Sequence, residues 1–335
     1  MAKIFVTRKI PGDFLEKLKT GNEVVISELD RPLTQEELLE KAKGADVILT
    51  LLTDHVDGDV IDAIGPQLKM VSNYAVGFDN IDIKAATDRG VVITNTPSDE
   101  VNESVAEHTW VFIMALARHI VTADEFIRQE GYFTGKGGYK GWEPGLFLGN
   151  TMIGKTLGIV GLGRIGSMVA RRAAGYNMTL LYNKHEPDPE AEKALGVKFV
   201  TLNELYAQSD FITLHVPLTD ETRHMINAEV FSKMKKGSYL VNTARGPVIE
   251  EKALVEAIKS GTLGGAALDV FDNEPTIAPE LIAAPNVILT PHIASATWEA
   301  RNKMGLQSVD QILTVLGGQK PENLVNPGVW EKRRK

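Results

Sequence analysis

Residues 156–185, TLGIVGLGRIGSMVARRAAGYNMTLLYNKH, constrain the fold more than any other stretch of the chain. Residues 156–160 read as a buried strand, and Gly161-Leu162-Gly163-Arg164-Ile165-Gly166 follows at once. The helix that this turn opens carries apolar Met168, Val169, Ala173 and Ala174. In such a turn the first glycine permits the bend, the second lets a pyrophosphate approach the backbone, and the third lets helix and strand pack closely. Unpaired N–H groups and the positive end of the helix dipole would then face the phosphates. A second strand at 179–183 completes a βαβ unit at the right distance, so the turn predicts a dinucleotide site.

The end of that second strand normally selects the cofactor. A carboxylate there accepts hydrogen bonds from the adenosine ribose, whereas a basic group suits a 2′-phosphate. Here Asn183, Lys184 and His185 occupy the position, with Glu186 and Asp188 just beyond. Lys184 could meet a phosphate and the two acids could repel one. NADP(H) is therefore the preferred cofactor and NAD(H) stays open, as does Lys184 as a solvated turn residue.

A chain of 335 residues exceeds what one core usually organises, so two domains are expected. With 43% hydrophobic and 24% charged residues it can bury sizeable cores. A formal charge of −8 argues against a nucleic-acid partner. The basic end, Lys332-Arg333-Arg334-Lys335, reads as a solvated tail. The absence of cysteine excludes disulfides and thiolate chemistry, and no metal is expected. The N-terminus runs straight into a strand, and the longest apolar run, 111–117, is too short to span a bilayer. No membrane role and a cytoplasmic location are the resulting expectations.

Before the glycine turn, strands are predicted at 4–7, 23–27, 47–52, 69–74 and 91–94. Helices are predicted at 14–19, from a capping-box sequence at Thr34-Gln35-Glu36-Glu37 to Lys43, and at 60–64. This βαβα alternation predicts a second doubly wound domain without a glycine fingerprint. Its loop at 73–80 follows a strand, where ligands of open α/β sheets bind, and the amides of Ala75, Val76 and Gly77 could form an anion-binding nest or an ordinary turn. A helix at 104–120 is apolar nearly all round, as between domains or subunits. The glycine- and aromatic-rich stretch 131–149 reads as a loop crossing a surface, such as that of a partner subunit. After the fingerprint, strands at 198–200, 211–216, 239–242, 266–270 and 287–289 alternate with helices at 202–208, 228–234 and 250–260. A last amphipathic helix covers 298–316.

Three polar residues follow strands in the second half: Arg245, Glu274 and His292. Strand ends on one side of a parallel sheet converge, so the three can meet near the nicotinamide end of a dinucleotide. Reducing a 2-keto acid needs a cation for the carboxylate and ketone, and the planar fork of Arg245 suits both. It needs a proton for the developing alkoxide, which His292 can donate. A carboxylate such as Glu274 on the other ring nitrogen would favour the charged ring and hold its orientation.

These motifs identify the chain as similar to the D-isomer-specific 2-hydroxyacid dehydrogenases, in their glyoxylate/hydroxypyruvate reductase branch. The resemblance covers nearly the whole chain. It rests on NYAVGFDNID at 73–82, GKTLGIVGLGRIG at 154–166, FITLHVPLTDETRHMIN at 211–227, LVNTARGPVIEEKAL at 240–254, GGAALDVFDNEP at 264–275 and LTPHIASAT at 289–297. It implies an α/β chain of two doubly wound parallel-sheet domains: a Rossmann coenzyme domain, 101–287, inserted in a flavodoxin-like substrate domain made of 1–100 and 288–335. Residue reading alone would leave the C-terminal helix with the second domain.

The resemblance also implies Arg245, Glu274 and His292 as the catalytic set, Val76 and Gly77 as carboxylate-binding amides, and Leu52 and Ser295 as lining the substrate pocket. Asp269 would meet the nicotinamide carboxamide, with Thr243 and Ala244 along the same cofactor. Val216, Pro217 and Thr222 would lie along the adenosine half. Family members are homodimers joined through coenzyme domains, with domain closure as their gate. The usual acid after the second coenzyme strand is absent, as in NADPH-preferring reductases. Formate dehydrogenases resemble this fold too, but pair their histidine with glutamine, so Glu274 speaks against them. The expected function is reduction of glyoxylate or hydroxypyruvate to the D-2-hydroxy acid. Reduction of 2-ketogluconate or pyruvate, and a dinucleotide-sensing interaction protein on the same fold, are the alternatives.

Overall fold

The computed structural model describes residues 1–129 and 142–335. Backbone pairing divides them into two α/β units, Met1–Val101 with Ala296–Lys335, and Asn102–Ser295. In the first unit β1 (Lys3–Val6), β2 (Glu23–Ile26), β3 (Val47–Leu51), β4 (Met70–Tyr74) and β5 (Val92–Thr94) form a sheet in the order β2-β1-β3-β4-β5, every pair parallel. This is the flavodoxin-like order. β3 and β4 are nearly continuous runs of buried residues, as expected for strands covered on both faces, whereas edge strand β2 alternates. One core packs Phe5, Ile48 and Val71 against Leu38, Val60, Ile61 and Ala86 from helices.

The capping box predicted at Thr34 is present. Its hydroxyl accepts from Glu37 N–H, the Glu37 carboxylate accepts from Thr34 N–H, and the helix Gln35–Lys41 follows. Helix Ile83–Asp88 was not anticipated, because its apolar face is only two residues wide; Asp82 caps it.

The C-terminal helix Trp298–Leu316 packs on β4 in this unit. Tyr74 donates its hydroxyl hydrogen to Arg301 O at 2.8 Å, and Gln307 and Gln311 donate to the carbonyls of Pro97 and Asn95 at 2.9 and 3.0 Å. Beyond it Asn326 accepts from Ile93 N–H and donates to Val91 O, stitching the tail to β5. The basic end is not the solvated tail expected from its charge. Arg334 donates to the carbonyls of Arg89, Gly65 and Leu68 at 2.7, 3.0 and 3.1 Å, and Arg333 lies over the Trp330 ring. Carbonyls left open at the helix and loop ends around Gly65 and Arg89 supply the partners that a charge count cannot reveal.

In the second unit β6 (Thr156–Val160), β7 (Thr179–Asn183), β8 (Val197–Phe199), β9 (Phe211–Leu214), β10 (Ser238–Asn242), β11 (Leu263–Leu268) and β12 (Val287–Leu289) are ordered β12-β11-β10-β9-β6-β7-β8, again all parallel. The first six strands in sequence have the Rossmann order, reversing direction beside β6. Two apolar layers cover the sheet, one including Leu205, Phe231 and Leu254, the other Ile113, Val169 and Ala170.

Two expectations change here. Because β12 pairs with β11, residues 288–295 belong to this unit, and the boundary expected at 287/288 would cut through a paired strand. The single helix expected at 104–120 is two, Asp99–Ala117 and Ile120–Gln129, broken at His119, whose φ of 52° lies in the left-handed region. Of the surface-crossing stretch 131–149, residues 131–141 lie outside the described residues. No helix among the described residues is long and apolar enough to cross a membrane.

Candidate active site

The glycine turn after β6 has the geometry its spacing demands. Gly161 takes φ 96°, and a Cβ there would stand 2.6 Å from His215 O. A Cβ on Gly166 would overlap the Gly161 carbonyl, so helix and strand pack only because that position has no side chain. At Gly163 the space a Cβ would take is open, with nothing within 4 Å. Gly163 is also the N-cap of helix Arg164–Ala173 and offers no side-chain acceptor to its first-turn amides. Open space over unpaired helix-end N–H groups fits a pyrophosphate. Leu162 is buried beneath the turn, while Arg164 is exposed.

At the end of β7 the three residues divide their work. Asn183 donates its side-chain amide to Val200 O at 2.8 Å, which ties β7 to the loop after β8. Lys184 Nζ sits 2.9 Å from Asp188 Oδ2, and the other oxygen of Asp188 accepts from Ala191 N–H to cap helix Pro189–Leu195. The cap bond and the ammonium together hold the Asp188 carboxyl below the usual carboxylate range. His185 is exposed. Val216 and Pro217 follow β9, and Thr222 donates its hydroxyl hydrogen to Pro217 O at 2.7 Å, closing that loop into a turn.

The three reactive candidates stand on adjacent strand ends: Arg245 after β10, Glu274 after β11 and His292 after β12. Neighbouring strands lie about 4.8 Å apart, so residues just past three of them are brought close. His292 Nδ1 lies 2.8 Å from Glu274 Oε2, and the other Glu274 oxygen accepts from Phe271 N–H at 2.9 Å. A carboxylate oxygen only accepts, so it sets Nδ1 as a protonated nitrogen and leaves Nε2 uninvolved in this pair. Burial pushes the Glu274 carboxyl up. The His292 hydrogen bond and charge, the Phe271 N–H and the Arg245 charge outweigh burial and hold it below its ordinary value.

Side chains behind these loops fix their shapes. Asn242 is buried at the end of β10, accepting from Ala244 N–H and donating to Arg245 O at 3.0 and 2.9 Å, so one amide bends the chain that presents Arg245. Asp269 is 1% exposed. Its carboxylate takes the Thr290 hydroxyl and the N–H groups of Ile293 and Ala294, the latter at 2.8 and 2.7 Å. His292 N–H donates to Asp269 O at 2.9 Å, and His292 takes a left-handed φ of 55°. The loop carrying His292 is thus wrapped around one buried carboxylate. His108 reaches the same place, 3.2 Å from Thr290 Oγ1; burial lowers the pKa of its ring, against the pull of Asp269. Thr243 pairs with Thr109 at 3.0 Å. Ser295, at the end of the unit, is half-buried.

In the first unit the loop after β4 presents Val76 and Gly77 at its carboxyl end, and Leu52 follows β3 on the same edge of that sheet. Among the described residues neither the Val76 nor the Gly77 N–H has a hydrogen-bond partner. Sequence reading missed the polar side chains supporting these loops: Asp54, Asn73, Asn80, Asn95 and Asn242. The detectable signal was an amide at or next to the end of a mostly apolar strand, as in MVSNY of β4 and SYLVN of β10.

Residues 110–294 match the family model described as D-isomer specific 2-hydroxyacid dehydrogenase, NAD binding domain. Over 332 residues the chain is 45% identical to glyoxylate reductases of Thermococcus onnurineus and Pyrococcus furiosus, covering 99% of this chain and 98% and 97% of theirs. Among solved structures, an NADPH-dependent glyoxylate/hydroxypyruvate reductase from Sinorhizobium meliloti superposes with a TM-score of 0.82 at 31% identity, covering 100% of both chains. With a nicotinamide-dinucleotide fold and relatives matched end to end, the chain belongs to the D-isomer specific 2-hydroxyacid dehydrogenase family.

Proposed function

We propose that this enzyme reduces glyoxylate or hydroxypyruvate to the D-2-hydroxy acid, with NADPH preferred and NADH accepted. The observation that carries the chemistry is the 2.8 Å His292–Glu274 pair beside Arg245 on the neighbouring strand end. A bound nicotinamide supplies the hydride. Arg245 draws charge toward the ketone oxygen and helps hold the carboxylate, which the amides of Val76 and Gly77 also receive. As that oxygen becomes an alkoxide, His292 gives it a proton from Nε2, with Glu274 holding the ring and its charge. Asp269 shapes the His292 loop and, with three of its roughly four lone-pair sites taken, keeps one for a carboxamide.

NADPH preference rests on Lys184 standing where an acid would bind the ribose. Its ammonium is shared with Asp188, so a 2′-phosphate would compete for it. The substrate domain (1–101 with 296–335) and the coenzyme domain (102–295) divide these roles. Joining of two copies through coenzyme domains belongs to the same proposal, supported by exposed Val111, Met114, Ile120, Leu148 and Ile153 in this unit. A cytoplasmic location is part of it, because the reaction draws on the cell's nicotinamide pool.

The test is steady-state loss of nicotinamide absorbance with glyoxylate, hydroxypyruvate, pyruvate and 2-ketogluconate, each with NADPH and NADH. Highest kcat/KM on the first two with NADPH is expected. Faster turnover of pyruvate or 2-ketogluconate would reassign the substrate, and NADPH binding without turnover of any would favour a dinucleotide sensor. Sedimentation of the wild type and Val111→Lys separates dimer from monomer.

A further inference from the structure

We infer that Asn95 and Thr96 are positioning residues for substrate: they aim the Gly77 and Val76 amides by holding the carbonyl on the opposite side of each peptide plane. The inference rests on the carboxylate-binding role proposed above for those amides. A trans peptide is planar, with its C=O and the following N–H pointing in opposite directions. Whatever grips the carbonyl therefore sets where the N–H points.

Both peptides are gripped in this way. The Ala75 carbonyl accepts from Thr96 N–H at 2.9 Å and from the Thr96 hydroxyl at 3.2 Å, which directs Val76 N–H away from β5. The Val76 carbonyl accepts from Asn95 Nδ2 at 2.7 Å, which directs Gly77 N–H the same way. The next carbonyl, Gly77 O, accepts from buried Asn73 at 2.9 Å, so the run is held from three sides. Successive carbonyls tied inward leave successive amides without a partner among the described residues, the arrangement that receives an oxyanion. A hydrogen bond at a carbonyl also polarises its peptide, making the N–H a better donor. Asn95 is itself fixed from behind, its carbonyl accepting from Gln311 of the C-terminal helix at 3.0 Å.

The experiment compares wild type with Asn95→Ala, Asn95→Asp and Thr96→Val. Asp keeps the shape but removes the donor, and Val keeps the Thr96 backbone bond and removes only the hydroxyl. Two readouts are used: kinetics on glyoxylate and its uncharged methyl ester, and calorimetric titration of NADPH-loaded protein with oxamate, which needs no turnover. Loss of one such bond is expected to raise KM for glyoxylate and the Kd of oxamate about tenfold in Asn95→Ala, and more in Asn95→Asp. For Thr96→Val the rise is about threefold. Turnover number, NADPH affinity and kcat/KM on the ester stay near wild type. Equal losses on acid and ester, or unchanged glyoxylate KM and oxamate affinity in every folded variant, would overturn the inference. So would a wild type that does not bind oxamate. A wild type that binds oxamate but reduces no keto acid would sink the proposed reaction; weaker oxamate binding in Asn95→Ala would still sustain the nest.

Discussion

Replacing Glu274 by glutamine removes one charge and almost no volume, so its effect isolates what the carboxylate does for His292. Two donors converge on the two Glu274 oxygens, His292 Nδ1–H at 2.8 Å and Phe271 N–H at 2.9 Å. Glutamine has one acceptor oxygen and one NH2 group. If its oxygen stays with Phe271, the NH2 meets Nδ1 and drives the ring proton to Nε2, leaving a neutral ring. If the oxygen stays with Nδ1–H, Phe271 N–H faces a donor and goes unsatisfied, at a cost of about 1–3 kcal/mol. Either way the charge-assisted bond is lost. Such bonds contribute about 1.5–3 kcal/mol, equivalent to about one to two tenfold steps in a rate that depends on them.

The expected kcat for glyoxylate reduction at pH 7.5 is therefore about 10- to 100-fold lower in Glu274→Gln. NADPH affinity stays within about twofold, because no charge along the glycine turn has changed. The assay is kcat against pH from about 5 to about 9, each point checked for folding. A folded variant with near-wild-type kcat across that range would refute the assignment of Glu274 as the group that supports His292 as proton donor.

Stability gives the same carboxylate an independent sign. Its pKa in the folded protein is below the ordinary value, so its contribution is full above the ordinary carboxylate range and is lost as pH falls through the lowered value. The melting-temperature gap between wild type and Glu274→Gln should therefore shrink between about pH 5 and about pH 3; a constant gap would contradict the linkage. Lys184→Asp should lower the NADPH-to-NADH ratio of kcat/KM by at least about tenfold, and an unchanged ratio would mean that Lys184 does not meet the phosphate. Gly166→Ala pushes a methyl into the Gly161 carbonyl. Its melting temperature should drop with a loss of about 1–3 kcal/mol, and NADPH affinity should fall with it; a variant as stable as wild type would show that the turn tolerates a side chain. Arg334→Ala removes donors from three carbonyls, each net about 0.5–1.5 kcal/mol, so its melting temperature should fall by several degrees with kcat unchanged.

The coenzyme sheet was legible because its signals are local. A buried strand, three glycines and a helix face lie within 30 residues of sequence; Gly161 and Gly166 each have a separate steric reason, and the space over Gly163 is open. Arg245, Glu274 and His292 were legible one level up, as polar residues just past apolar strands. The two similar units were not separable in this way. The C-terminal helix reads as one more helix following β12, and its packing on β4 depends on contacts across more than 200 residues of sequence, such as Tyr74 to Arg301. The tail misled for a related reason: four basic residues suggest solvation, yet Arg334 satisfies carbonyls contributed by residues 65, 68 and 89.

What sequence reading could not supply is the layer beneath the reactive groups, and physics explains why that layer is both hidden and necessary. Arg245, His292, Val76 and Gly77 all sit on loops, whose backbone does not hold itself in one shape. Each loop is bent around a buried side chain that contributes nothing to hydrophobic patterning: Asn242 for Arg245, Asp269 for His292, and Asn73, helped by half-buried Asn80, for the loop after β4. An amide or carboxylate buried at a strand end costs free energy unless its hydrogen bonds are met, so these residues persist only where the loop closes on them. The requirement runs both ways. A loop that relaxed away from Asp269 would strand a buried carboxylate at 1% exposure, and that penalty holds His292 at its left-handed φ. Asp269→Asn should therefore lower kcat while leaving the Glu274–His292 chemistry intact. The amide has only one oxygen for the Thr290 hydroxyl and the Ile293 and Ala294 N–H groups, so the loop that presents the ring is held less firmly. Both kcat and the melting temperature should fall, although the 2.8 Å Glu274–His292 pair has lost neither partner, and a folded variant with wild-type kcat and stability would mean that the loop does not depend on the Asp269 carboxylate.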